Sequence, residues 1–163
     1  MKKWILALVG VAVLATVAYL ALFNKPQAPQ VHYTNLSGQT ASTDSLKGKV
    51  VLVNFWATSC SGCMAEMPKL RATHEKYAPQ GYETVAVAMS YDPPNYVQTY
   101  VKDTALPFFV TLDSSGSIAK AFGEVQLTPT SVLIDKQGNI IKRYVGEPDF
   151  TELHQLIEQN LKA

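Results

Sequence analysis

Two cysteines, Cys60 and Cys63, are the only ones in the chain, and Ser61-Gly62 separates them. Where disulfides persist, such a pair is either a small structural clip or a redox centre. The apolar run VVLVNFW leads almost directly into Cys-Ser-Gly-Cys, and a helical pattern follows. That order puts Cys60 at a helix N-terminus, where unpaired backbone N–H groups and the helix dipole favour thiolate over thiol. The thiolate is the attacking species, and a free cysteine pKa of about 8.5 falls at such positions. Cys63, one turn further in, is placed to resolve a mixed disulfide, and Gly62 lets the backbone turn tightly beside the sulfur.

The rival chemistries fit less well. A zinc site needs four ligands, and His32, His74 and His154 supply no second paired cluster. Covalent haem attachment requires histidine where Met64 stands. A purely structural disulfide across so short a loop adds little stability. Thiol–disulfide exchange is the chemistry expected of the pair, and it needs no cofactor.

The elements that must position these sulfurs can be read on either side of them. Val50–Trp56 has the continuous apolar character of a strand buried on both faces of a parallel sheet. Met67, Leu70, His74 and Tyr77 recur at helical spacing, with Pro68 expected to kink that helix. A second buried strand is expected over Glu83–Ser90. Asp92-Pro93-Pro94 reads as a cap with proline in the first turn, opening a helix to about Thr104. A short strand over Phe108–Leu112 leads through Ser115-Gly116 to a helix ending near Phe122-Gly123. Strands over Ser131–Ile134 and Ile140–Val145 flank the turn Asp135-Lys-Gln-Gly138. Leu153, Leu156, Ile157 and Leu161 line one face of a last helix over Phe150–Leu161. Upstream, Ser37-Gly38 marks a small hairpin, and Asp44-Ser45-Leu46 a helical turn ended by glycine. The implied class is α/β, a mixed sheet flanked by helices with one antiparallel edge pair.

The 163 residues allow one such domain and a short appendage. Trp4 to Phe23 carries no charge, and at the helical rise it spans roughly 30 Å, the thickness of a bilayer core. Lys2 and Lys3 precede it and would stay on the cytoplasmic side. The expected division is a membrane anchor, or an uncleaved signal, over residues 1–23, a proline-containing linker over 24–30, and an outer domain over 31–163. No convincing cleavage site of the small-x-small kind follows the apolar run. Without Lys2 and Lys3, fourteen basic residues become 12 against 13 acidic ones, so the outer part carries −1. No basic stripe interleaved with aromatics asks for nucleic acid.

The run VVLVNFWATSCSGCMAEMPKL resembles the active-site segment of the thioredoxin superfamily. It is most similar to the membrane-anchored TlpA-type and cytochrome c maturation thiol–disulfide oxidoreductases. The matching features are the NFWAT lead-in, the two-residue spacer, Glu66 three residues after Cys63 and Pro68 five after it. Thr128-Pro129-Thr130 before SVLID is similar to the family's cis-proline loop. The resemblance covers residues 31–161. It implies a thioredoxin-like fold, a cis Thr128–Pro129 bond lying against the disulfide, and a Thr128 backbone that pairs with an extended substrate. It also implies a part for Glu66 in governing the thiols' protons, and Trp56 belongs to the same substrate-facing set or packs beneath it.

Two departures qualify the resemblance. Asn54 stands where ordinary thioredoxins carry a buried acid, so proton acceptance must pass to Glu66, to water, or to nothing. Ser59 replaces the tryptophan that usually precedes the first cysteine, which leaves Cys60 more exposed. The spacer lacks the histidine of strong oxidants, and with Glu66 this points to a reductant. The family implies an inner-membrane protein with its catalytic domain in the periplasm, fed with electrons by a transmembrane thiol reductase. Its substrate would be an oxidised protein such as an apocytochrome c. The alternatives are a periplasmic reductase serving oxidative-damage repair, and a copper chaperone on the same fold, since soft thiolates suit Cu(I). For the copper reading His154, expected at the surface of the last helix, is a poor ligand.

Overall fold

A computed structural model describes residues 25–163. The 1–23 anchor expected from sequence lies outside the described residues. Among the described residues no helix is long and apolar enough to cross a membrane.

The sheet is organised around β3 (Val50–Trp56), all seven of whose residues are buried. It is preceded by a separate hairpin of β1 (His32–Thr34) and β2 (Thr40–Ser42). The remaining strands are β4 (Tyr82–Ala88), β5 (Phe109–Leu112), β6 (Thr130–Ile134) and β7 (Ile140–Val145). Their order across the sheet is β5-β4-β3-β6-β7. β4 and β5 run parallel to their neighbours, whereas β6 and β7 are antiparallel. The helices are α1 (Ser61–Tyr77), α2 (Pro94–Thr104), α3 (Ser117–Ala121) and α4 (Phe150–Lys162). This is the thioredoxin-like α/β arrangement, with a mixed central sheet.

Alternation along β3 explains why both faces must be covered. Val50, Leu52 and Trp56 pack on one side with Met67 and Leu70 of α1 and Leu153 and Ile157 of α4. Val51, Val53 and Phe55 pack on the other with Ile118, Ala119 and Phe122. Each such aliphatic or aromatic side chain, fully buried, stabilises the fold by about 1.5–3 kcal/mol. Asn54 falls on the α1 face, the one polar interruption of the strand.

Two local readings change. The stretch expected to be a linker is tied to the domain. Ala28 N–H donates to Gly138 O at 2.8 Å, Ile140 N–H donates to Pro26 O at 2.7 Å, and Ala28 is buried. The turn between β6 and β7 presents unpaired backbone groups, and the incoming chain satisfies them. Asp92 does not cap α2, whose N-cap is Pro93. Its carboxylate turns instead toward the loop after β3. α1 runs uninterrupted through Pro68 to Tyr77.

Candidate active site

β3 is the central strand, and its C-terminal end faces the crevice in which α/β sheets commonly place ligands. Four residues, Ala57 to Cys60, connect it to α1. The connection is held from both ends. Cys60 N–H donates to Ala57 O at 3.1 Å. Thr58 donates twice to the buried Asp92 carboxylate, from its N–H at 2.6 Å and from its Oγ1 at 2.5 Å.

Cys60 is the N-cap of α1, with extended dihedrals (φ −92°, ψ 105°), and its Sγ accepts the Cys63 N–H at 3.1 Å. A sulfur in that position takes the place of the usual serine or aspartate oxygen. A thiolate there meets the same N–H and the positive end of the helix dipole. The two sulfurs are joined in a disulfide, with the Cα atoms 5.2 Å apart. Cys60 is half-buried and Cys63 is buried at 1% exposure. The sulfur a partner can reach is therefore that of Cys60.

The Thr128–Pro129 bond is cis. Pro129 packs on the active-site turn, its Cδ 3.5 Å from where a Cβ on Gly62 would stand. Gly146, at φ +90°, turns the chain after β7 and donates its N–H to Pro129 O at 2.8 Å. Thr130 Oγ1 donates to Leu127 O at 2.7 Å, closing the loop from the other side. Thr128 between them is half-exposed, and its backbone N–H and C=O make no backbone hydrogen bond among the described residues.

Beneath the disulfide lies a polar group in an otherwise apolar layer. Glu66 has no exposed surface. It lies on the same helix face as Cys63, at i and i+3. Asn54 Nδ2 donates to Glu66 Oε1 at 3.2 Å and to Ser131 Oγ at 2.9 Å. Asn54 and Ser131 are register partners across β3 and β6, so both side chains leave the sheet on the same face. Burial, reinforced by the Glu147 carboxylate and opposed by Lys69, pushes the Glu66 pKa from 4.5 up to about 7. A carboxyl with that value exchanges its proton in the neutral range. Glu66 Oε2 and Asn54 Oδ1 have no hydrogen-bond partner.

Comparison with known proteins agrees with this geometry. The model of a protein family described as Redoxin matches residues 24–157. The chain belongs to the Redoxin family. It is 35% identical over 133 residues to a thiol-disulfide oxidoreductase ResA of Bacillus thuringiensis subsp. konkukian, covering 82% of this chain and 76% of that one. A solution structure from Neisseria meningitidis described as a thioredoxin is 46% identical, with a TM-score of 0.78 over 84% of this chain and 91% of the other. A thiol:disulfide interchange protein of the thioredoxin family from Chlorobium tepidum is 27% identical, with a TM-score of 0.76 over 84% and 97%. The chain is thus a thioredoxin-superfamily thiol–disulfide oxidoreductase of the TlpA and ResA kind, with Cys60 and Cys63 as its redox pair.

Of the residues singled out in this Redoxin member's sequence, Cys60, Cys63, Glu66, Thr128 and Pro129 come together around the disulfide. Trp56 does not face a substrate. It is wholly buried and packs against Tyr100, ring centroids 5.5 Å apart, because it ends a strand covered on both faces. His154 is half-buried rather than freely at the surface. Its Nε2 lies 2.9 Å from Thr73 Oγ1 and its ring packs edge-on to Tyr77. Sequence reasoning missed Asp92 as the anchor of the active-site loop, Ser131 as a partner of Asn54, and Glu147 as the second acid that raises the Glu66 pKa. No local pattern marks any of them, since each acts on a residue far away in the chain.

Proposed function

We propose that the protein is an extracytoplasmic reductant of protein disulfides. Residues 1–23 would hold it to the outer face of a bacterial inner membrane, with residues 31–163 as the catalytic domain in the periplasm. The observation that carries the reading is the pairing of a reachable Cys60 sulfur at the helix N-terminus with a buried Cys63 that shares its helix face with a carboxyl of pKa about 7.

In the reduced protein the Cys60 thiolate attacks one sulfur of a substrate disulfide. A mixed disulfide forms, and the other substrate sulfur leaves as a thiolate that takes up a proton. Cys63 then gives up its proton, for which Glu66 is the nearby acceptor, and attacks Cys60 Sγ. The second substrate sulfur leaves, and the Cys60–Cys63 disulfide remains. Two electrons have passed to the substrate, and a transmembrane thiol reductase would restore them. Pro129 closes the site over Gly62 while Thr128 offers its backbone to an extended segment. The resemblance to cytochrome c maturation proteins favours the oxidised haem-binding cysteines of an apocytochrome c as substrate. The short, open Ser59 side chain also suits other oxidised periplasmic proteins, as in oxidative-damage repair.

A glutathione redox titration of the Cys60–Cys63 pair tests the direction. A midpoint well below about −200 mV is expected, and one near about −120 mV would make the protein an oxidant and end this reading. With Cys63→Ser, oxidised substrate proteins should accumulate as mixed disulfides on Cys60, and with Cys60→Ser they should not.

A further inference from the structure

Among the described residues, the large hydrophobic side chains left open to solvent are Tyr91, Tyr96, Leu127 and Val145, each more than half exposed. Their positions are not scattered. Tyr91 Oη lies 3.2 Å from Thr128 Oγ1. Leu127 precedes Thr128 in the same loop, and Val145 is the register partner of Thr130. Tyr96 joins Tyr91 along a groove of 820 Å³ that opens at Ser59 and Met64, immediately beside Cys60. Leu127 and Val145 line a second groove, beside Thr130, so the four form two pairs on either side of the Thr128–Pro129 loop. Grouped exposed apolar surface marks an interaction site, whereas single scattered residues do not.

The groove is built rather than incidental. Tyr100 forms part of its wall and is fixed by packing on the buried Trp56. Thr58, at its mouth, is fixed by the two hydrogen bonds to Asp92, which occupy both oxygens of that buried carboxylate. Ser59, which lines the groove, directly precedes Cys60 in the chain and contributes only a hydroxymethyl group. Its volume lies in the range of sites that take a bulky organic group, and its apolar wall is made by Tyr91, Tyr96 and Tyr100 with Met64 and Pro93, while Asn95, Thr99 and Asp103 give it a polar side.

We infer that this groove is the specificity pocket of the enzyme, and that it takes an aromatic side chain of the substrate protein two residues from the cysteine under attack. The inference rests on the reading of the site as a reductant of protein disulfides. An extended segment bonded to Cys60 and lying along Thr128 presents alternate side chains about 7 Å apart on one face. The neighbour of the attacked cysteine on that face therefore reaches the groove, while Leu127 and Val145 meet the segment on the opposite flank. The occupant is an aromatic ring because the walls offer tyrosine faces and edges, with which another ring packs favourably.

The test uses the reduced full-length protein and two symmetric disulfide dimers of a short peptide, differing only in Trp or Ala two residues from the cysteine. Each turnover moves two electrons from the protein to the dimer and releases two peptide thiols. The Trp dimer should be reduced about tenfold faster than the Ala dimer, the size of effect one buried aromatic contact provides. Tyr96→Ala, at a surface position, should bring the two rates to within about twofold of one another. It should leave reduction of hydroxyethyl disulfide, which is too small to reach the groove, unchanged. Ser59→Trp, which plugs the mouth, should abolish the preference in the same way. Equal rates for the two dimers in the unaltered protein, or a preference that survives Tyr96→Ala, would overturn the pocket while leaving the exchange activity standing. Failure to reduce any of the three disulfides would instead remove the redox reading on which the pocket depends.

Discussion

Glu66 has no exposed surface, and its pKa rises from 4.5 to about 7, chiefly through burial and then through Glu147. The folded protein therefore holds a proton on Glu66 that the unfolded chain releases between those two values. Stability must fall as pH rises through this window, because the folded state binds more protons than the unfolded state there. At about 1.4 kcal/mol per pH unit, the loss between pH 4.5 and about 7 comes to about 3 kcal/mol. Glu66→Gln keeps the shape of the neutral acid, and its side-chain oxygen can still accept from Asn54 Nδ2, but it cannot ionise. Below pH 4.5 the variant should match the unaltered protein within about 1 kcal/mol. Above pH 7 it should be more stable by about 3 kcal/mol. The assay is urea denaturation of the disulfide-bonded forms of both proteins across that pH range, taking the difference at each pH so that the histidines and the Lys69–Glu147 ion pair cancel. A difference that does not change with pH would refute the claim that Glu66 is ionised at a cost in the folded state. In the reduced protein the same substitution should lower the thiol titration midpoint, since a nearby negative charge no longer opposes the thiolate.

Two further substitutions probe how the site is held. Asp92→Ala leaves the Thr58 N–H and hydroxyl without their acceptor, so it should cost about 1–3 kcal/mol in denaturant and slow the reaction of Cys60 with a small disulfide; an unchanged rate would show that the loop holds its shape without Asp92. Gly62 lies within α1 without a positive φ, so the tight turn expected there from sequence does not need glycine. Gly62→Ala should be accepted, because the added Cβ would stand 3.5 Å from Pro129 Cδ, an ordinary contact, and it should stabilise α1 by up to about 1 kcal/mol. Gly62→Leu should force Pro129 outward and slow exchange with protein substrates, which a chemical-shift change at Thr128 and Thr130 would report.

Much of the redox centre was legible along the chain because it is local. β3, the two cysteines and α1 follow one another without a break, and the apolar run, the spacer and the helical periodicity each declare themselves within a few residues. The sheet order was only partly legible, since periodicity marks strands without saying which are neighbours. Sequence left Trp56 open between facing the substrate and packing beneath the site, because an aromatic beside a site looks alike in sequence whether it faces solvent or core; its burial places it in the core. Asp92-Pro93-Pro94 reads as a helix cap by local rules. The carboxylate instead found two donors at Thr58, 34 residues earlier, and a pair of hydrogen bonds in a buried setting outweighs one cap at an exposed helix end.

The sequence by itself determined that Cys60 begins a helix and that Cys63 stands one turn behind it, because capping and hydrophobic periodicity act over a few bonds. Only the tertiary structure decided what surrounds them. The antiparallel pairing of β6 with β3 sets Ser131 beside Asn54, 77 residues apart in sequence, and Asn54 in turn supports Glu66. α1 folds back over that strand and takes Glu66 out of water. The β4–α2 connection supplies Tyr91 and α2 supplies Tyr96 and Tyr100, which together with Ser59 line a groove beside the active-site turn. Those effects depend on burial and on contacts between distant segments, neither of which is a property of any single stretch of chain.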